Sequence, residues 1–175
     1  MILSKYERYS LSNQLRILEA LYPSEADDLA VQREAVEKGY FLAIEEGMEH
    51  IYDSDSVVSL EECEEVWSVM NMFLAIDQTI KALGKPNLHD DYFTRFRGYD
   101  GNNEAKFMGF AEFTIKRMGR FAHLPLEKSD YLNSHMPIRE MYLSMHEEWQ
   151  RISLNSRFPM SEQDLIRVLS AGYRR

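Results

Sequence analysis

Six polar residues between positions 97 and 135 have side chains suited to binding a small anion. Arg97 and Arg120 carry guanidinium groups that would hold the charged oxygens of such a ligand. Tyr99, Asn133 and His135 would orient the bound group. Asp100 belongs to the rim of the same pocket and lies directly before a helical pattern. We therefore expect the pocket at a helix N-terminus, where backbone amides and the helix dipole favour an anion.

A tight backbone turn is the competing explanation for the centre of this pattern. Gly98 permits such a turn, and Asp100 or Asn102 would cap the helix that follows. Arg97 has no role in capping. The direction of its guanidinium group therefore distinguishes a turn from a binding site.

Acid–base catalysis is the alternative chemistry for this region. His123 or His135 would transfer the proton, and Asp100 or Glu104 would orient the imidazole ring. The histidines do not have the spacing of a zinc motif, and the chain contains no nucleophile elbow, Walker A loop or dinucleotide-binding fingerprint. We predict neither a metal nor a cofactor, and we favour a binding protein over an enzyme.

Two weaker patterns precede this region. Asp53 and Asp55 begin a register similar to a calcium loop, but Val57 and Val58 occupy positions that require an oxygen ligand and a glycine. Cys63 lies near the start of a predicted helix, where the dipole would lower the thiol pKa of a nucleophile; the alternative is a buried structural cysteine. A single cysteine forms no internal disulfide, which fits a reducing cytoplasm.

The negative charge of the chain is concentrated in one stretch. Residues 45–65 contain nine acidic residues and no lysine or arginine, whereas acids and bases are equal in number elsewhere. Because clustered bases are needed to face phosphates, general nucleic-acid binding is disfavoured. The acidic stretch is a solvated face or, in a third hypothesis, the surface through which an adaptor meets a basic protein partner.

Apolar periodicity predicts an all-α fold. Capping and stop signals lie at Ser4, Pro23, Ser24, Ser59, Gly84, Pro137 and Ser161. We expect about six to eight helices in one compact domain over residues 1–175. The segment 102–118 is apolar on most sides, so we expect this helix at the centre of the domain.

Polar residues 12–14 interrupt the first helix. If their side chains face inward, the Arg97 or His135 region is their candidate partner. No apolar run is long enough to cross a bilayer, and the N-terminus lacks a signal-peptide pattern.

Several of these stretches, taken together, resemble the YfbU family. The matching segments occur in order over nearly the whole chain, at residues 11–14, 37–40, 96–100 with Glu104, 119–121 and 133–137. The resemblance implies a bacterial, cytoplasmic, all-helical domain of about this length, in a family without an established activity. Relatives with an added helix-turn-helix suggest a ligand-binding or regulatory role. Met118 departs from the family pattern, in which many relatives carry an acid at this position.

The combined hypothesis is a non-enzymatic ligand-binding or regulatory module with a pocket for a small anionic ligand. The many methionine and aromatic residues fit a buried core and a subunit interface, so we also expect a homo-oligomer. Convergence of Arg97, Asp100, Arg120 and His135 on one cleft would support the site. Separations above about 12 Å would exceed what a few hydrogen bonds bridge.

Overall fold

The computed structural model describes residues 3–51, 57–127 and 132–173. Regular structure in these ranges is helical, and extended pairing is limited to isolated bridges. The α-helices are α1 (Lys5–Leu21), α2 (Ala26–Lys38), α3 (Phe41–Gly47), α4 (Leu60–Leu83), α5 (Ala105–Glu112), α6 (Arg139–Gln150) and α7 (Glu162–Ala171). The predicted all-α fold class is confirmed for the part of the chain that the structure describes.

The chain forms two compact units, Met1–Ser56 and Val57–Arg175, and each has its own buried apolar cluster. The expectation of a single domain over residues 1–175 stays a prediction. Within the described ranges, none of the helices has both the length and the apolar composition required to cross a membrane.

The N-terminal unit consists of α1, α2 and α3. The capping box predicted at the start of α1 is present: Ser4 Oγ accepts from the Glu7 amide at 3.3 Å, and the Glu7 carboxylate accepts from the Ser4 amide at 2.8 Å. The buried core of this unit is small, comprising Leu15, Ala35, Val36 and Ile44.

One helix start in this unit differs from the prediction, and a further boundary lies at Gly39. Ser24 does not cap α2, because Pro23–Glu25 forms a 3-10 turn and α2 begins at Ala26. Gly39 ends α2 with a left-handed φ of 74°. Phe41 therefore begins a separate helix, α3, and does not extend α2.

The C-terminal unit is organised around α4. Ser59 and Glu62 form the predicted capping box at its start, and Gly84 ends it. Ten residues of α4 are buried, compared with two in α5, because apolar side chains occur on several sides of α4. The apolar segment 102–118, which we expected at the centre, contributes to the core, but α4 supplies more of the buried core residues than any other helix.

The segment 102–118 is also regular over a shorter range than predicted. α5 covers Ala105–Glu112 and continues as a π-helix over Phe113–Arg117. The amide of Met118 donates to the carbonyl of Phe113 at 3.0 Å, which closes the wider turn. Turns of this type are rare and frequently occur at functional sites.

An extended connection that includes Phe96 and Tyr99 precedes α5. Phe96 forms an isolated parallel bridge with Leu126, and Tyr99 forms another with Asn133. Gly98, with a φ of 80°, crosses the backbone of Leu132 so closely that a Cβ atom would lie 1.8 Å from the Leu132 carbonyl oxygen. Glycine is therefore required at this crossing.

Candidate functional site

The guanidinium group of Arg97 is paired within the chain. Its Nε donates to the carbonyl oxygen of Tyr92 at 3.1 Å, and its Nη2 lies 3.6 Å from a carboxylate oxygen of Glu127. The guanidinium carbon is 3.7 Å from the centre of the Tyr92 ring, a cation–π contact. The backbone amide of Arg97 donates to the Tyr142 hydroxyl at 2.9 Å. These contacts make Arg97 an anchor of the extended connection.

Asp100 organises the turn that leads into α5. Its buried carboxylate accepts from the amide of Asn102 at 3.4 Å and from the side-chain amide of Asn103. α5 starts only at Ala105 and has no side-chain cap. The helix cap that we expected from Asp100 or Asn102 is therefore replaced by a hydrogen-bonded turn.

Glu104 joins this turn to the start of α6. Its Oε2 accepts from the Asp100 amide at 3.0 Å, and its Oε1 accepts from the amides of Ile138 and Arg139 at 3.0 and 2.9 Å. Amides at the start of a helix have no partner within the helix, so this carboxylate serves as a cap from a distant part of the chain. The buried Glu104 is thus used structurally.

Asn133 and His135 lie in the segment that crosses this turn. Asn133 Oδ1 accepts from the Gly101 amide at 3.1 Å and from the His135 amide at 2.9 Å. His135 has a left-handed φ of 57°, and its side chain is exposed. Asn133 therefore connects the two segments of the crossing.

Tyr99 is completely buried beside them. Its ring packs at 5.7 Å from the rings of Phe96, Phe107 and Tyr142. Its hydroxyl has no hydrogen-bond partner among the described residues. Burial raises the pKa of Tyr99 well above its ordinary value, so the phenol stays neutral.

Hydrogen bonds of backbone and side chains thus bring together Tyr99, Asp100, Asn133 and His135. In the described ranges, no hydrogen bond or ion pair links the guanidinium groups of Arg97 and Arg120 to these four residues. A ligand site formed by all six residues stays a prediction.

Arg120 instead lies in a groove beside α4. Its guanidinium carbon is 4.2 Å from the centre of the Trp67 ring. The groove has a volume of about 430 Å³ and is lined by Trp67, Asn71, Leu74, Gln78, Arg120, Phe121, Ala122 and His123. The four lining residues of α4 recur at helical spacing and share one face of that helix. We call this site the Arg120 groove.

Thr114, in the π-helix, fixes both sides of the Arg120 groove. Its hydroxyl accepts from Trp67 Nε1 at 3.0 Å, and its carbonyl accepts from the Arg120 amide at 3.1 Å. Phe121 then adopts a left-handed φ of 56°, which is uncommon for a bulky side chain. Backbone strain of this kind is concentrated at ligand sites and active sites.

The Arg120 groove is positive. Arg120 is one of its lining residues, and none of the others is an aspartate or a glutamate. Asn71, Gln78 and His123 add hydrogen-bonding groups to the lining of the same groove. This arrangement of donors is suited to a small anion.

A pocket that we did not predict lies in the N-terminal unit. It has a volume of about 330 Å³ and is lined by Lys5, Arg8, Tyr9, Ser12, Asn13, Arg16 and Glu37. We call it the α1 pocket. Ser12 is buried and donates to Glu37 Oε1 at 2.8 Å, so its partner is not in the Arg97 or His135 region as we expected. The sequence signal for this pocket was the recurrence of polar and basic residues on one face of α1.

The described residues also bear on the metal, calcium and cysteine chemistry that we weighed as alternatives in the sequence. Across the described residues, no three histidine, cysteine, aspartate or glutamate side chains are grouped as metal ligands. Asp53 and Asp55 of the calcium-like register lie outside the described residues, as does the rest of 52–56 in the acidic stretch. Burial raises the pKa of the Cys63 thiol, so the helix N-terminus does not activate it as the nucleophile hypothesis requires.

The fold and these pockets define an all-helical protein with polar ligand-sized sites along its helices. A family model, the YfbU domain, matches residues 1–171. The chain therefore belongs to the YfbU family, which confirms the resemblance seen in its sequence. It is also similar to the UPF0304 protein MJECS11 of Methanocaldococcus jannaschii, with 30% identity over 176 residues, covering 97% of this chain and 100% of that relative.

Proposed function

We propose that this chain is a non-enzymatic helical module that binds a small organic anion in the Arg120 groove. The observation that carries the proposal is the guanidinium group of Arg120, held 4.2 Å from the Trp67 ring centre in a groove with no lining carboxylate. Because Thr114 bonds both Trp67 and the Arg120 backbone amide, the aromatic ring and the backbone that carries the cation are positioned before a ligand arrives. Such preorganisation reduces the entropy lost on binding.

The remaining lining residues indicate a monoanion with an apolar body. Arg120 supplies one permanent positive charge, which matches a single carboxylate. Leu74 and Phe121 offer apolar surface, and the amides of Asn71 and Gln78 both donate and accept hydrogen bonds. A volume of about 430 Å³ is typical of small-molecule sites.

We place the ligand at Arg120 and not at Arg97. The Arg97 guanidinium is already engaged by the Tyr92 ring and carbonyl and by the Glu127 carboxylate. A ligand there would have to replace these partners. The central crossing around Asp100 and Asn133 then supports the fold of the C-terminal unit.

Isothermal titration calorimetry with benzoate and with acetate tests the proposal. We expect benzoate to bind more tightly than acetate, because the apolar lining adds contact area. Arg120→Ala should weaken benzoate binding at least about tenfold, since a charge-assisted hydrogen bond contributes about 1.5–3 kcal/mol. The control Arg117→Ala removes the same charge from an exposed residue outside the groove and should leave binding unchanged. Absence of benzoate binding, or an equal loss in both variants, would contradict the proposal.

The acid–base enzyme has weaker support than the binding module. In the described ranges, neither His123 nor His135 hydrogen-bonds to Asp100 or Glu104. Those carboxylates accept instead from backbone amides and from the side chain of Asn103. The geometry that proton transfer requires is thus not formed by these residues.

We also propose a homo-oligomer located in the cytoplasm. α1 exposes three large apolar side chains along one face, at Tyr6 (80% exposed), Ile17 (60%) and Leu21 (65%). Contact with the same face of a second copy would remove this surface from water. The single cysteine, Cys63, supports the reducing compartment.

A further inference from the structure

We infer that the α1 pocket is a second ligand site, which binds a phosphate dianion, free or as the monoester of a small molecule. The pocket belongs to the N-terminal unit, whereas the Arg120 groove belongs to the C-terminal unit. The two sites also differ in the charge that they present to a ligand.

Positive charge exceeds negative charge in the α1 pocket. All three basic residues of α1 line it, Lys5, Arg8 and Arg16, and Glu37 is its one lining carboxylate. The lining therefore carries a net charge of two positive units, in a chain whose net charge is -9. A local excess of this sign and size matches a dianion.

Glu37 is committed to partners other than Lys5. Its Oε1 accepts from Ser12 Oγ at 2.8 Å, from Arg16 Nη2 at 3.0 Å and from Arg33 Nη1 at 3.3 Å. The hydrogen bond from Ser12 is the largest cause that lowers the pKa of Glu37, and the two arginines act in the same direction. The carboxylate is thus ionised at neutral pH and already surrounded by donors.

Arg8 is held by backbone carbonyls, and no carboxylate of the described ranges pairs with it. Its Nη1 donates to the carbonyl oxygens of Val36 and Glu37 at 3.4 and 3.3 Å, at the C-terminal end of α2. These dipoles orient the guanidinium but do not cancel a full charge. Its Nε is buried and has no hydrogen-bond partner among the described residues, so the donor capacity of Arg8 is only partly used.

Lys5 completes the pair of cations that a phosphate would bridge. It lies three residues before Arg8 on α1, and residues at this spacing are neighbours on a helix surface. In the part of the chain that the structure describes, the exposed ammonium group forms no ion pair. Tyr9 and Asn13 add hydrogen-bonding groups on the same face, within a volume of about 330 Å³ that admits a small monoester.

Amide ¹H–¹⁵N spectra of the full chain, recorded in a phosphate-free buffer of low ionic strength, test this inference. Inorganic phosphate, glycerol 3-phosphate and acetate are titrated separately. We expect saturable shifts of α1 amides with both phosphates and at least about tenfold weaker binding of acetate, which brings one charge fewer. Tighter binding of glycerol 3-phosphate than of phosphate assigns a monoester; equal affinities assign free phosphate.

Two single-charge variants make the result specific. Lys5→Ala should weaken phosphate binding about tenfold, since it removes one charge-assisted contact. It should not lower the melting temperature, because a cation in the first turn of α1 opposes the helix dipole. The control Lys38→Ala removes an exposed lysine outside the pocket and should bind as the wild type does.

Three outcomes would overturn the inference: no saturable shift in α1, shifts confined to residues of the Arg120 groove, or equal losses in Lys5→Ala and Lys38→Ala. Arg120→Ala separates this site from the proposed function. Phosphate binding that persists in Arg120→Ala would support the α1 pocket as a separate site, even if benzoate binding is lost in that variant.

Discussion

At the scale of single residues, Glu104 links two distant segments of the chain through hydrogen bonds to its carboxylate. Its carboxylate accepts three backbone amides, and two of these belong to the start of α6, separated from it by 34 and 35 residues of sequence. Ile138, the residue that precedes α6, provides no side-chain cap of its own. The start of α6 therefore depends on a carboxylate from the segment before α5.

Replacing Glu104 with alanine should destabilise the fold by about 3 kcal/mol or more, since each buried amide that loses its partner costs about 1–3 kcal/mol. Urea unfolding followed by circular dichroism measures this change. The matched control is Glu112→Ala, which breaks an exposed pair with Lys116 at 3.0 Å and should stay within about 0.5 kcal/mol of the wild type. Similar unfolding midpoints for the two variants would show that Glu104 is not a structural cap.

At the scale of elements, glycine is required at the Gly98 crossing but not at Gly109 on the surface of α5. A Cβ atom at Gly98 would lie 1.8 Å from the Leu132 carbonyl oxygen, whereas a Cβ atom at Gly109 would meet no atom within 4 Å apart from the adjacent residues and the nearby backbone of α5 itself. Gly109 is within α5 and exposed, so alanine there only restricts the unfolded chain.

Gly98→Ala should destabilise the protein by about 4 kcal/mol or more or prevent its folding, because the backbone of either segment must move. Gly109→Ala should stabilise it by about 0.5–1 kcal/mol. Melting temperatures from differential scanning calorimetry compare the two variants directly. A Gly98→Ala protein as stable as the wild type would exclude the close crossing.

Sequence patterns predicted those elements whose causes are local. The capping boxes at Ser4 and Ser59 and the stop at Gly84 each depend on a few neighbouring residues, and all three are present. The 3-10 turn over Pro23–Glu25 and the π-helix over Phe113–Arg117 were missed, because each is too short to produce a detectable apolar period of its own.

The candidate sites were harder to predict, because they depend on contacts between distant residues. Ser12 meets Glu37, and Arg97 meets Glu127, at sequence separations that no local pattern reveals. Arg120 was identified by its residue type, but its position over Trp67 depends on how α4 packs beside the 119–123 segment. Residue chemistry thus suggested an anion, and tertiary packing is the basis on which we propose where it binds.

At the scale of the whole molecule, the exposed face of α1 makes the oligomeric state testable. Sedimentation equilibrium at micromolar concentration should give a mass above that of the 20.6 kDa chain. Ile17→Glu should shift the protein towards the monomer, because it places a charge within the apolar stripe. Val31→Glu introduces the same charge at a side chain that is 69% exposed on α2 and should leave the mass unchanged. A monomeric wild type would remove the proposed oligomer.

The cation over Trp67 has an optical consequence. Both tryptophans of the chain have an arginine over the ring, Arg120 over Trp67 at 4.2 Å and Arg157 over Trp149 at 4.9 Å. The indole N–H of Trp149 is buried without a described partner, so a Trp149→Phe change removes an unsatisfied donor. The single remaining indole emits next to the charge that would hold a ligand. A ligand that moved Arg120 relative to that ring would change its fluorescence, so this variant would report occupancy of the proposed groove.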